Sequence, residues 1–136
     1  MYPYPLFFGY GDVALLVIRV VLGIIFVVHG WPKIADLRKN SENFRGMGFK
    51  PGAFWGTLAA LFEFFGGIAF VFGIFTSGLA FLFAVQFLVI ILWRLGKGHH
   101  FAGGWEFDLL IFAALLLFVT LGAGHFVFDR MMFPGY

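Results

Sequence analysis

Residues 13–31 read VALLVIRVVLGIIFVVHGW, a run in which Arg19 is the one permanently charged residue. As an α-helix this run is about 29 Å long at 1.5 Å per residue, which matches the hydrocarbon core of a bilayer. Three further apolar runs follow at 54–75, 79–95 and 105–124. None alternates like a strand, and a helix satisfies its own backbone groups in lipid. Each run is therefore predicted to be a transmembrane helix.

The composition points to the same class of protein. Hydrophobic residues make up 62% of the 136 positions and charged residues 12%, about half of the ~25% that is usual in soluble domains. A soluble chain of this size could not bury that much apolar surface. We predict a single domain over residues 1–136, an all-α integral membrane four-helix bundle with antiparallel up-down spans, whose first partner is the lipid bilayer.

The other bulk properties exclude several function classes. The net charge is +2 and no basic stripe is visible, which argues against a nucleic-acid partner. Cysteine is absent, which excludes disulfides and thiolate metal sites. His99 and His100 are adjacent in a loop and His125 lies at the opposite end of the spans, so no haem or metal site is predicted.

The basic residues predict the orientation in the membrane. A polar, charged loop is expected at 32–52, a tight turn at 76–78 and a short loop at 96–104. The side of the two loops carries seven of the nine basic residues, and the side of the termini carries Arg130. By the positive-inside rule the loops are cytoplasmic and both termini face out, in a multi-pass plasma membrane protein.

Arg19 and Glu63 are the sharpest candidates for a functional site. Measured from the centres of their runs, Arg19 lies roughly 5 Å toward the outer face and Glu63 roughly 2 Å toward the cytoplasmic face. A charge in mid-bilayer costs about 3 kcal/mol or more unless it is paired or hydrated. We therefore predict that the two side chains meet inside the bundle. They form either a polar site for a head group or a proton, or a structural pair that fixes helix register.

Four more polar residues are candidates for ligand binding or proton relay. Gln86 is the polar residue in the interior of the third run, where it is either a ligand contact or an interhelical hydrogen bond. His29 and Lys33 share a helix face, and His29 is either a proton carrier or an interfacial residue. Glu106 and Asp108 are about 200° apart around a helix, so at most one faces inward, and Glu106 is the predicted one.

Several short motifs resemble those of the DoxX family. RVVLG at 19–23 and HGWPK at 29–33 look like its first-span signature, and EFFGG at 63–67 with GIFT at 73–76 like its second. GGWE at 103–106, followed by Asp108, is similar to the family's pattern before the last span. The C-terminal stretch 122–129 also resembles the family's. Ser77 departs from the pattern, because the family often has a basic residue there. The resemblance covers nearly the whole chain.

The resemblance implies a four-helix membrane protein whose relatives are associated with quinol oxidase and thiosulfate:quinone oxidoreductase complexes. The matching polar residues are Arg19, His29, Lys33, Glu63 and Glu106. The leading hypothesis is a subunit of a quinone-linked oxidoreductase that binds a quinone head group or relays protons, with other oxidoreductase subunits as partners. The alternatives are a structural or assembly subunit without chemistry of its own, and a small transporter that acts as a homo-oligomer.

Overall fold

The computed structural model describes residues 5–135, so the predictions that include residues 1–4 and 136 extend beyond the described residues. It is mostly helical, and the described part of the chain contains no strand, which confirms the all-α prediction. The helices are α1 (Gly11–Ala35), α2 (Leu37–Gly46), α3 (Gly52–Phe72), α4 (Thr76–Gly96), α5 (Glu106–Leu121) and the short α6 (Phe128–Met132).

Four helices are long and apolar enough to cross a membrane, as predicted. They run over Phe8–Ala35, Gly52–Phe72, Thr76–Gly96 and Phe101–Leu121 and so contain α1, α3, α4 and α5. The chain is a multi-pass integral membrane protein. The first span runs past its predicted end, because α1 continues through Pro32 to Ala35. The proline costs the helix one backbone donor near its end, and the Pro32 carbonyl still accepts from the Asp36 N–H at 3.3 Å.

The polar connection predicted over residues 32–52 contains a helix that was not predicted, α2. The Asp36 side chain caps α2 by accepting from the Lys39 N–H at 3.0 Å. Asn40 is buried and donates to the carbonyl of Gly56 at 2.7 Å, which ties α2 to α3. A Cβ on Gly56 would lie 3.0 Å from the Asn40 side-chain nitrogen, so the small residue is what allows the two helices to approach.

The helices group into two compact units, named here for their places in the sequence. The central unit comprises Arg19–Phe72 and therefore most of α1 with α2 and α3. Within it α1 and α3 are antiparallel, since Gly23 faces Gly67 and Gly30 faces Phe64. Phe26 and Phe70 are buried between them with ring centroids 6.0 Å apart.

The terminal unit comprises the chain up to Ile18 and from Gly73 onwards. Its helices α4 and α5 are antiparallel: the Ser77 hydroxyl donates to the Phe118 carbonyl at 3.0 Å near one end, and Arg94 pairs with Asp108 near the other. Phe83, Leu115 and Phe118 are fully buried in its core. The arrangement of all four spans in one bundle, and the single domain, stay predictions.

Candidate functional site: the Lys33–Glu63 pair

The central unit contains a carboxylate buried midway along a membrane-spanning helix. Glu63 is the twelfth of the twenty-one residues of α3 and is 5% exposed. Both of its side-chain oxygens accept from the Lys33 ammonium, each at 2.7 Å. The cation lies on the facing helix α1, thirty residues earlier in the chain. The pair therefore links two spans through two charge-assisted hydrogen bonds.

Close helix packing determines which cation reaches Glu63. A Cβ on Gly30 would lie 2.6 Å from the backbone nitrogen of Phe64, so the α1 backbone passes directly over the Glu63–Phe64 peptide. Lys33 lies three residues after Gly30 and thus on the same face of α1. Its ammonium also lies 5.9 Å from the centroid of the Phe44 ring on α2. All three helices of the central unit therefore contribute to the site.

The two partners differ in their exposure to the surroundings. The Lys33 side chain is 29% exposed and the Glu63 side chain 6%. The lysine stem can place part of its charge outside the packed interior, whereas the buried carboxylate needs partners within the protein, of which Lys33 is one. Lysine has three N–H donors, and the two bonds to Glu63 occupy two of them. The third is the group through which the pair can bind an oxygen acceptor.

Arg19 and Glu63 are both buried, at 2% and 5% exposure, as the cost of a charge in lipid predicted. Glu63 lies at the level of Gly30 on α1, eleven residues along that helix from Arg19. The predicted contact between the Arg19 and Glu63 side chains stays a prediction. Lys33 was not predicted as the partner of Glu63, because its pairing depends on tertiary register.

The other two candidates from the first three spans lie in different surroundings. His29 is exposed on α1, in contrast to Gly30, which follows it and is buried. Gln86 is half-buried in α4 of the terminal unit. The roles predicted for both in ligand binding or proton relay stay predictions.

The choice of Glu106 over Asp108 as the inward acid of the last span is wrong. Asp108 is buried at 7% exposure, and its carboxylate lies 3.0 Å from the Arg94 guanidinium. Glu106 is exposed and accepts from the Gly103 N–H at 2.9 Å, in the turn that starts the helix. The buried stripe of α5 continues from Asp108 through Ile111, Leu115 and Phe118. The apolar spacing i, i+3, i+7 and i+10 from Asp108 was the signal that pointed to it.

The groups at Lys33 and Glu63 fit a neutral ligand that carries oxygen acceptors. A quinone head group has two carbonyl oxygens, and the ammonium can donate to one of them while it stays bonded to Glu63. Aromatic residues lie near the pair: the Phe44 ring is next to Lys33, and Phe64 follows Glu63 in sequence. The donor set and the apolar surroundings are therefore compatible with a quinone.

Comparison with known proteins places this architecture among bacterial membrane proteins. A family model described as DoxX matches residues 14–95. The chain is 32% identical to the inner membrane protein YqjF of Escherichia coli over 126 residues, which are 89% of this chain and 93% of the relative. It is 29% identical over 124 residues to CatD of Bacillus subtilis, named as a candidate oxidoreductase, with 91% and 90% of the two chains covered. It is also 30% identical to an uncharacterised Haemophilus influenzae protein, over 85% of this chain and 88% of that one. No solved structure matches the chain.

Proposed function

This chain belongs to the DoxX family, and from that premise we propose that it is the membrane subunit of a quinone-linked oxidoreductase. The Lys33–Glu63 pair would hold the quinone head group or relay protons to it. The observation that carries the proposal is a nearly inaccessible carboxylate whose two oxygens are bonded to a partly exposed ammonium within the spans. The name of the Bacillus relative agrees with this reaction class.

A bound quinone would supply two-electron, two-proton redox chemistry, and the chain's residues would bind it and manage protons. Lys33 would donate its third N–H to a carbonyl oxygen. Glu63 would orient the ammonium and could accept a proton, because Lys33 is exposed enough to carry its charge without a carboxylate. The packed glycine contacts around Gly30 would hold the two side chains in register. The roles predicted from the sequence for Arg19, His29, Gln86 and Glu106 in ligand binding or proton relay remain predictions.

The cellular setting is part of the same proposal. The relative in Escherichia coli is named an inner membrane protein, which supports a plasma membrane location for this chain. The loops that carry most basic residues would face the cytoplasm. Further subunits would supply or remove the electrons, and association of several copies is compatible with the large lipid-facing surface.

Quinone retention tests this function. The protein would be purified in mild detergent from quinone-containing membranes, and the bound quinone would be extracted and quantified per chain. Glu63→Gln and Lys33→Met should each lower retention about tenfold, the effect of losing one charge-assisted hydrogen bond and its geometry. Glu42→Gln is the matched control, because it removes a carboxylate from the exposed Arg38–Glu42 pair of the same unit. Wild-type protein without quinone, or equal retention in all four proteins, would contradict the proposal.

A structural or assembly subunit is the second candidate, and one observation favours it. Both Glu63 oxygens already have a partner at 2.7 Å, as expected of a pair that fixes helix register. In that case Glu63→Gln would lower the stability of the protein and leave quinone content and the activity of the assembled complex unchanged. The two functions are thus separated by measuring stability and retained quinone on the same samples.

A further inference from the structure

Two adjoining cavities lie in the terminal unit, away from the Lys33–Glu63 pair. One is an open cleft of about 820 Å³ at the end where α4 begins and α5 ends. The other is a groove of about 530 Å³ that follows the first two turns of α1 and the end of α5. Asp12, Leu15 and Leu121 line both, so the cleft and the groove share part of their walls.

The cleft contains charges of both signs. Asp12 accepts from the His125 N–H at 3.2 Å, and its other oxygen lies 3.5 Å from Nε2 of the same histidine. Arg130 contacts Nδ1 of that imidazole ring. Asp129 accepts from the N–H of Phe75 at 2.6 Å. Two carboxylates and one guanidinium therefore line the same cleft, with spare acceptor and donor positions on each.

The beginning of α4 adds hydrogen-bond donors to this cleft. Its cap residue, Phe75, offers no side-chain cap, so the first N–H groups of the helix have no partner within it. Thr76, the next residue, lines the cleft and is 3% exposed, and its hydroxyl has no hydrogen-bond partner. A buried hydroxyl without a partner costs about 1–3 kcal/mol. A ligand with a strong acceptor group would compensate for it and would suit the helix N-terminus.

The groove has the opposite character. Its walls are mostly apolar and include Phe8, Ala14, Ile18 and Leu117. From Gly11 to Ile18 it follows α1 for roughly 10 Å, away from the helix ends and into the hydrocarbon-spanning part of the chain. A polar cleft at the helix ends that continues as an apolar groove along them matches the layout of a lipid, with a head group at the interface and an acyl chain below it.

We propose that this composite site binds a zwitterionic phospholipid whose head group carries a phosphate and a primary ammonium. Arg130, the Thr76 hydroxyl and the first N–H groups of α4 bind the phosphate. Asp12 and Asp129 accept from the ammonium, and the groove holds the upper part of one acyl chain. A purely anionic head group would meet two carboxylates and one guanidinium in the cleft, so its charge would be poorly matched. A quinone would leave the charges of the cleft unmatched.

The experiment measures which lipid the full-length protein retains. The protein is incorporated in nanodiscs of equimolar phosphatidylethanolamine, phosphatidylcholine, phosphatidylglycerol and ubiquinone, with matched acyl chains among the phospholipids. It is then extracted in mild detergent, and the retained molecules are counted by native mass spectrometry. We expect phosphatidylethanolamine to be retained about fivefold or more over phosphatidylglycerol. It should also exceed phosphatidylcholine, whose quaternary ammonium has no N–H donor.

Three variants identify the site. Arg130→Gln should lower phosphatidylethanolamine retention about tenfold, and Thr76→Val should lower it less, while Thr76→Ser restores it because the hydroxyl is kept. Arg38→Gln is the control, since that arginine side chain is 92% exposed in the other unit. Equal retention of all lipids, preferential retention of phosphatidylglycerol or ubiquinone, or retention unchanged in Arg130→Gln would each overturn the proposal. Circular dichroism confirms that each variant is folded.

Discussion

The two residues of the Lys33–Glu63 pair do not contribute equally to the stability of the protein. A charge in a low-dielectric interior is tolerated when a partner and hydrogen bonds replace its water. The Glu63 side chain is 6% exposed and both of its oxygens are bonded to Lys33, whereas the Lys33 side chain is 29% exposed. Loss of the lysine therefore leaves a buried carboxylate, and loss of the carboxylate leaves a lysine that can move toward its surroundings.

This asymmetry predicts the order of stability of three variants. Lys33→Met should lower the free energy of unfolding by about 3 kcal/mol, since it removes the ammonium bonded to both oxygens of a buried carboxylate. Glu63→Gln should cost about 1 kcal/mol, the net value of a typical hydrogen bond. The double variant should cost less than the sum, because the two residues interact directly. Unfolding by titration with a denaturing detergent measures all three, and a greater loss in Glu63→Gln than in Lys33→Met would contradict this account.

Single residues also show how much of the site could be predicted from sequence. The burial of Arg19 and Glu63 was predictable, because a charged residue in a membrane span is costly when it faces lipid. The pairing of Glu63 with Lys33 was not, because it depends on which turn of α1 lies against which turn of α3. The inward side of α5 was missed because Glu106 and Asp108 are two positions apart, and only the apolar stripe distinguishes them.

At the scale of helices, small residues determine how closely the spans pack in the central unit. Lipid chains are as apolar as leucine, so spans associate through close backbone contact more than through burial of apolar area. A Cβ on Gly67 would lie 2.9 Å from the Gly23 carbonyl oxygen, and one on Gly30 would lie 2.6 Å from the Phe64 nitrogen. The obstructing atoms belong to the backbone, so rotation of a side chain cannot relieve these contacts.

Gly30→Ala is therefore expected to separate α1 from α3. The free energy of unfolding should fall by about 2 kcal/mol, as in overpacked cores. The Lys33–Glu63 hydrogen bonds should lengthen, with faster hydrogen exchange in the middle of α3. Gly46→Ala is the matched control, because its Cβ would meet nothing within 4 Å and it ends α2 of the same unit. Equal stability of the two variants would show that the α1–α3 contact is looser than described.

Among the helices, the sequence predicts the four spans and misses α2. The four spans were recognisable from apolar length alone, and their predicted ends lie within a few residues of those in the structure. Helix α2 is amphipathic but polar overall, with Leu37 and Phe44 as its large apolar residues, so the apolar length that reveals the spans does not reveal it. Its stability comes from the Asp36 cap and from the buried bond of Asn40 to Gly56, and the second of these depends on tertiary structure.

At the scale of the whole molecule, the basic residues predict how the chain lies in the membrane. Five of the nine lie between Lys33 and Lys50, and Arg94 and Lys97 lie at the end of α4 and just after it. Residues that are separated by an even number of spans must share a side of the bilayer. The 32–52 and 96–104 segments are separated by two spans, so their charges act together and favour retention on the cytoplasmic side.

This topology can be tested with single cysteines, because the chain has none of its own. Asn43→Cys, His100→Cys and Met131→Cys place a thiol at exposed positions in α2, before α5 and in α6. A membrane-impermeant maleimide should label position 131 in intact cells and positions 43 and 100 only after permeabilisation. Positions 43 and 131 are separated by three spans, so labelling of both from the same side would overturn the span count. The reversed pattern would preserve four spans and overturn the orientation, because the two loops would then be outside despite their charge.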